Sequence, residues 1–413
     1  MTGLPLDKGS DLAIIFTIFI VCSRFKDVVR IVKNYFLIKW CVYLVGFLSI
    51  VAIYSLLVLE YPLVNVLQVY RPYLLLFSFA VFFAVPLRIL MRVFHTIALI
   101  TVFQSILFLL QIITGQTFLL SAAGSESFAS GLVAGSDYIR FYNTPVFLTP
   151  VLFYFFFVFK FKSKFKHYFI LLVLILTVLG PMHRSYMLVM VAVLFIYVLL
   201  QKSSKKKFVY SSLISITIFA VSFVPIINSR LTEGINDLET TWTGKLSLNS
   251  IDANENTTTY RIAHFMERLD YVLNKPLGLV FGIGLISDNS PLASKLNFSV
   301  GLVSEETGQT SQVDTGDLVW SPLILTIGVF GTIMYFLFYW KLMLYYYKHI
   351  NISSYAIVGF LTILVAFFIS MMGTEMISNT FRVMMLLLIV LVIKQQELTK
   401  LILEKNKLSK IQS

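Results

Sequence analysis

Charge is scarce in this chain of 413 residues: Asp, Glu, Lys and Arg together make up 13%, where soluble domains carry about 25%. A soluble protein is thereby excluded. Cysteine is almost absent. Cys22 and Cys41 lie in or beside apolar runs without disulfide or metal-ligand spacing, so they read as small membrane hydrophobes. Also missing is an internal repeat of the transporter kind, since Gly- or Pro-broken segments do not recur in matching positions of two halves. What is abundant is apolar surface: 58% of residues are hydrophobic, including 38 Phe, 21 Tyr and 4 Trp. So much cannot be hidden in one core, and lipid must solvate part of it. The expectation is an all-α polytopic membrane protein, because a hydrocarbon layer requires backbone groups to be satisfied within each segment.

A spanning helix needs about 20 apolar residues, and eleven candidate runs meet that pattern, near 11–23, 40–59, 72–90, 93–113, 143–160, 167–182, 185–201, 208–227, 318–340, 353–373 and 380–394. The first is short, and its basic neighbours Arg24, Lys26 and Arg30 follow the apolar run, which argues against a cleaved signal peptide. Short segments at 24–39, 88–92, 160–166, 202–207 and 341–348 and the tail from Lys394 hold 22 of the 33 Lys and Arg residues, with only Asp27, Glu397 and Glu404 as acids. That side is expected to be cytoplasmic. The net charge of +12 is then topology, and no nucleic-acid partner is implied. Eleven spans with the tail inside put the amino terminus outside, which leads us to expect a further helix upstream of Met1.

The resulting organisation is eight spans over 1–227, a large extracytoplasmic loop over 228–317 before the third-last helix, three spans over 318–394 and a basic cytoplasmic tail over 395–413. Long loops often carry function. Trp320 and Trp340 are expected at opposite interfaces of one span, ~30 Å apart at the helical rise.

The cations differ between the two sides. Arg is the minority inside, whereas outside seven of eleven are Arg: Arg71, Arg140, Arg184, Arg230, Arg261, Arg268 and Arg382. Guanidinium holds phosphate or carboxylate bidentately, so these residues either receive an anionic headgroup or pair with outer acids. The short turn Gly180-Pro181-Met182-His183-Arg184-Ser185 places His183 and Arg184 at a membrane edge, as site residues or as interfacial anchors. Residues 260–274 read as an amphipathic helix with an apolar stripe of Ile262, Phe265, Met266, Leu269, Val272 and Leu273. Arg261, His264 and Arg268 share another face, where they can grip a pyrophosphate or pair with Glu267 and Asp270. Asp317 opens the next span as a cap or as a site residue.

The order of features is a His-Arg-Ser turn before a span, a large late loop with an Arg-led helix ending in Asn274-Lys275-Pro276-Leu277-Gly278, then Phe281-Gly282-Ile283-Gly284, then a span carrying Gly328-Val329-Phe330-Gly331. This order resembles the O-antigen polymerase and O-antigen ligase superfamily of bacterial envelope proteins. The resemblance covers most of residues 170–345 and rests on spacing; the amino-terminal third contributes only span count. It implies a C-type glycosyltransferase fold in the bacterial inner membrane, acting at the extracytoplasmic face on undecaprenyl-diphosphate-linked oligosaccharides without a cofactor or metal. Membrane lipid and a chain-length regulator are the implied partners. Arg184 matches the family Arg at the start of its span, and Arg261 the Arg of the loop helix. Arg140 and Arg268 join them as expected diphosphate ligands. The ligase branch carries a His-Asn pair where this chain has Asp317-Leu318, so the resemblance favours a polymerase.

The implied chemistry is glycosyl transfer. A sugar hydroxyl attacks the anomeric carbon while charge builds on the departing diphosphate, which preorganised Arg groups stabilise. Asp317, His183 or His264 would take the hydroxyl proton. A ligase passing glycan to another acceptor is the nearer alternative, and a polysaccharide flippase or transporter the more distant one. A transporter would place functional charges inside spans, where this sequence has few.

Overall fold

The computed structural model describes residues 9–119, 130–132, 139–141, 143–181, 183–200, 203–205, 207–208, 211–212, 215, 257–287, 290, 292–301, 310–313, 319–372 and 383–397. In chain order the helices are α1 (Gly9–Ser23), α2 (Phe25–Asn34), α3 (Phe36–Leu57), α4 (Leu63–Tyr70), a tighter turn over Arg71–Phe77, α5 (Ser78–Phe83) and α6 (Leu87–Thr114). After a ribbon of β1 (Ser130–Leu132) and β2 (Ile139–Phe141) come α7 (Leu148–Phe157), α8 (Lys164–Leu179) and α9 (Arg184–Leu200). Then follow α10 (Thr257–Leu273), α11 (Gly278–Phe281), α12 (Trp320–His349) and α13 (Ser354–Met372). The chain is helical again over 383–397.

The described chain is thus predominantly helical, as an all-α membrane protein requires. Among the described residues, four helical stretches are long and apolar enough to cross a membrane: Phe36–Leu57, Leu63–Phe83, Leu87–Thr114 and Trp320–His349. Shorter apolar helices occupy the expected positions near 11–23, 143–160, 185–201 and 353–373. The run expected at 208–227 lies almost wholly outside the described residues. One boundary moves. The break expected at 88–92 falls at Ala84–Pro86 instead, so Arg88 and Arg92 lie in the first turns of α6. Pro86 explains the shift, since proline lacks a backbone donor and suits a helix start.

The chain divides into two units. The first comprises Met1–Val85, Asp237–Tyr345 and Ala366–Leu387. Here α3 is apolar all round, so one face is buried through Leu44, Leu48 and Val51 while Ile50, Ile53 and Leu57 stand exposed. Arg71 pairs with the buried Asp11 at 3.2 Å, tying α1 to the turn after α4. That pair accounts for one of the arginines assigned to the outer side.

Within this unit α12 is not straight. Gly328 has φ 73° and ψ 175°, a conformation open to glycine and strained for other residues. Sixteen residues of straight helix would separate Trp320 from Phe336 by about 24 Å. Their ring centroids are 6.1 Å apart, and Phe336 stacks in turn on Trp340 at 6.2 Å. The chain therefore folds back at Gly328, leaving residues 329–349 as the straight part. Trp320 and Trp340 flank one Phe, and the expectation that they mark opposite interfaces is overturned. The fold-back is filled by α11: a Cβ on Gly328 would lie 2.7 Å from Gly278 O, and one on Gly282 would overlap Leu325 O.

The second unit comprises Pro86–Asn236, Tyr346–Val365 and Leu388–Ser413. Helix α6 ends on Gly115 in the left-handed region, a common helix stop. Just before it the buried Gln111 donates to Asn143 Oδ1 at 3.0 Å and accepts from Phe118 N at 2.8 Å. The hydroxyls of Thr149 and Tyr186 meet at 2.6 Å, linking α7 to α9. At the other end of the chain His349 Nε2 lies 2.9 Å from Glu397 Oε1, and Ser353 donates to Gln396 Oε1 at 2.7 Å.

Candidate functional site

The site residues on α10 belong to the first unit. The helix forms where the 3.6-residue period predicts it, and its apolar stripe is divided: Val272, Phe265 and Leu269 pack into the core while the rest faces out. His264, Arg268 and Val272 point into the protein, the first two with no exposed surface, while Ile262, Met266 and Leu273 face out. The inner face thus carries His264 and Arg268 among apolar side chains, and Asp270 stands exposed with the outer ones.

His264 is held from α12. Its Nδ1 is 2.7 Å from Ser321 Oγ, and that hydroxyl is 3.4 Å from the His264 carbonyl oxygen. The arrangement using both contacts has Nδ1–H donating to Ser321 Oγ and the hydroxyl donating to the carbonyl. Nε2 then carries the lone pair. It is buried and has no hydrogen-bond partner among the described residues. Burial first, and the Arg268 charge second, push the imidazole pKa from 6.5 down to about 3, so the ring is neutral. An anion arriving beside it would raise that value, because a nearby negative charge favours the imidazolium.

One turn back, Arg261 is half-buried and its Nε has no hydrogen-bond partner among the described residues. A buried donor left without a partner costs free energy. That N–H is a donor an anion could take up.

Arg268 is placed differently. Its guanidinium donates to Glu267 Oε2 at 2.7 Å, to Val300 O and, at 3.2 Å, to Gln312 O. It also lies 4.2 Å above the Phe298 ring. Glu267 in turn accepts from the Ser299 and Val300 backbone N–H groups at 2.7 and 3.1 Å. Gln312 Oε1 accepts from Phe298 N at 2.8 Å. The neighbouring pair Glu267 and Arg268 thereby fastens the stretches around 298–301 and 310–313 to α10. Of the two expected partners for the cations, Glu267 takes this role.

The remaining candidates lie elsewhere. Arg140 is in β2, opposite Gly131. His183 is half-buried just before α9, and Arg184 is the first residue of that helix. These three belong to the second unit. Asp317 lies outside the described residues. The structure brings together Arg261, His264 and Arg268 with the expected partner Glu267, and adds Ser321 and Gln312, which sequence reasoning did not single out. Ser321 carried a weak signal, a hydroxyl beside Pro322 at the start of an apolar run. No group of three or more His, Cys, Asp or Glu side chains suited to a metal occurs among the described residues. No model of a known protein family matches the chain, and no curated protein matches it.

Proposed function

We propose that the protein is a membrane glycosyltransferase that polymerises lipid-linked glycan repeat units, releasing undecaprenyl diphosphate. The observation that carries this is α10, where Arg261 Nε and His264 Nε2, both without a hydrogen-bond partner among the described residues, stand one turn apart. A cation and a neutral base so placed suit a reaction that develops negative charge at one end and releases a proton at the other.

Arg261 receives the diphosphate of the donor and stabilises the charge that accumulates as the bond from the anomeric carbon to the diphosphate oxygen breaks. His264 Nε2 accepts the proton of the attacking sugar hydroxyl as the new glycosidic bond forms. The incoming diphosphate raises the basicity of the imidazole, so base strength is coupled to donor binding. Ser321 holds the ring in the required tautomer. The order of motifs shared with the O-antigen polymerases supports the same assignment, and the absence of the ligase His at Asp317 favours polymerisation over transfer to another acceptor.

The test is gel analysis of surface and lipid-linked glycans from a deletion strain complemented with wild type or Arg261→Ala. Single repeat units in the deletion, and a ladder restored by wild type alone, are expected. Long polymer persisting on undecaprenyl diphosphate without reaching its final acceptor would identify a ligase instead. Glycan trapped on the cytoplasmic side would identify a flippase.

A further inference from the structure

We infer that the α10–α11 segment is seated in the bilayer, with the stripe of Ile262, Met266 and Leu273 against lipid acyl chains and the edge carrying Asp270 and Asn274 toward the headgroups. This goes beyond the reaction proposed above and does not depend on it. It places part of the long polar-looking loop within the membrane.

The first observation is a row of exposed apolar side chains beside buried ionisable ones. Ile262, Met266 and Leu273 are 50%, 54% and 51% exposed, and Leu277 and Leu279 continue the stripe at 56% and 54%, while two ionisable side chains of the same helix are fully buried. Water disfavours five large apolar side chains exposed in one row. Hydrocarbon favours them, and the exposed Asp270 and Asn274 beside the stripe give the division expected of a helix lying in the interface.

Depth is fixed by two rulers. On α3, the Phe281 ring lies 6.3 Å from Phe47 and 4.9 Å from Tyr54, and Phe47 is ten residues, or about 15 Å, before the end of that helix. On α12, Trp320 folds back to Phe336, eight residues or about 12 Å along the straight part from Gly328. Ser321, beside Trp320, holds His264 of α10. Both ends of the α10–α11 segment therefore lie alongside apolar helices and not beyond their ends.

Backbone accounting gives a third observation. Non-helical chain at membrane depth is tolerated only where its polar groups are satisfied within protein. After α11 the Gly282, Ile283, Gly284 and Leu285 N–H groups donate in turn to Gly278 O, Leu325 O, Phe281 O and Ser55 Oγ. Ile283 O accepts from Tyr61 at 2.9 Å. All four residues are buried.

The test uses the full chain with Cys22→Ala and Cys41→Ala, carrying a nitroxide label in turn at Ile262→Cys, Met266→Cys, Leu273→Cys and Asp270→Cys. It is reconstituted in vesicles of phosphatidylethanolamine and phosphatidylglycerol. Power-saturation EPR compares collisions with oxygen, enriched in hydrocarbon, against a water-soluble nickel chelate. Oxygen collisions are expected to exceed chelate collisions at 262, 266 and 273, and the ratio to reverse at 270. Chelate collisions at the stripe equal to those at 270 would overturn the inference. So would low collisions with both reagents together with dipolar broadening between labels on separate copies, which would show a second copy covering the stripe. Leu279→Cys, on α11, repeats the test if a label on α10 prevents folding.

Discussion

His264 Nδ1 and Ser321 Oγ are 2.7 Å apart although 57 positions separate them in the chain. The bond joins α10 to the folded-back start of α12 and sets which ring nitrogen carries the lone pair. Ser321→Ala is expected to lower polymer output by about tenfold, the worth of one buried hydrogen bond. Ser321→Thr should largely restore it. Removal of the imidazole in His264→Ala should cost about 10²-fold or more, as loss of a general base does. Glycan ladders quantified against membrane-inserted protein provide the measurement, and equal output from Ser321→Ala and wild type would remove Ser321 from the mechanism.

Arg261 and Arg268 are seven residues apart on one helix and should fail differently. Arg261→Ala is expected to abolish long chains with the protein inserted at wild-type levels. Arg268→Ala leaves Glu267 without its buried partner and two loop carbonyls without a donor, at a cost of about 3 kcal/mol. It should reduce the amount of folded protein recovered in detergent. Thermal unfolding of both variants, run beside the glycan gels, separates the two effects.

Acid should destabilise the protein through His264. The folded state keeps the imidazole neutral down to about pH 3, whereas an exposed one protonates near 6.5. Unfolded chain therefore binds the extra proton between those values, so stability is complete above about 6.5 and falls as pH drops toward 3. The slope is about 1.4 kcal/mol per pH unit well below 6.5. Melting temperatures of wild type and His264→Gln between pH 7 and 5 should converge as pH falls; parallel curves would refute the assignment.

Gly328→Ala and Gly282→Ala should each destabilise by about 3 kcal/mol or more, from an unfavourable backbone region together with backbone overlap. Gly46 provides the control, because a Cβ there meets nothing within 4 Å. Protease resistance of the solubilised variants checks the contrast. Survival of Gly328→Ala at wild-type resistance would mean that the fold-back is not required.

Much of this fold is legible in the sequence because its signals are compositional. Apolar runs give α3, α6 and α13, and the period over 260–274 gives α10, whereas the break before α6 falls at Pro86 and not at the basic residues 88–92. The fold-back at Gly328 is not legible. A single glycine within an apolar run reads as continuous helix, and only the matching approach of Gly278 and Gly282 requires the turn. Periodicity likewise shows that α10 has two faces without showing which faces protein, since that depends on whether water or lipid lies outside. Arg261 and His264 were readable as a pair on one face. Ser321 was not, because its relation to His264 exists only through contacts distant in sequence, and Arg268 looked equivalent to Arg261 until its carbonyl partners were in place.

The orientation of α10 bears on the order in which the molecule is assembled. With acyl chains against Ile262, Met266 and Leu273, as inferred above, the solvent outside α10 contributes to holding Arg268 and His264 inward. On that inference, residues 257–286 complete their packing in the bilayer. That packing also requires α3 and α12, which supply Ser55, Ser321 and Leu325 to the segment, so lipid is the outermost layer on a protein frame already in place.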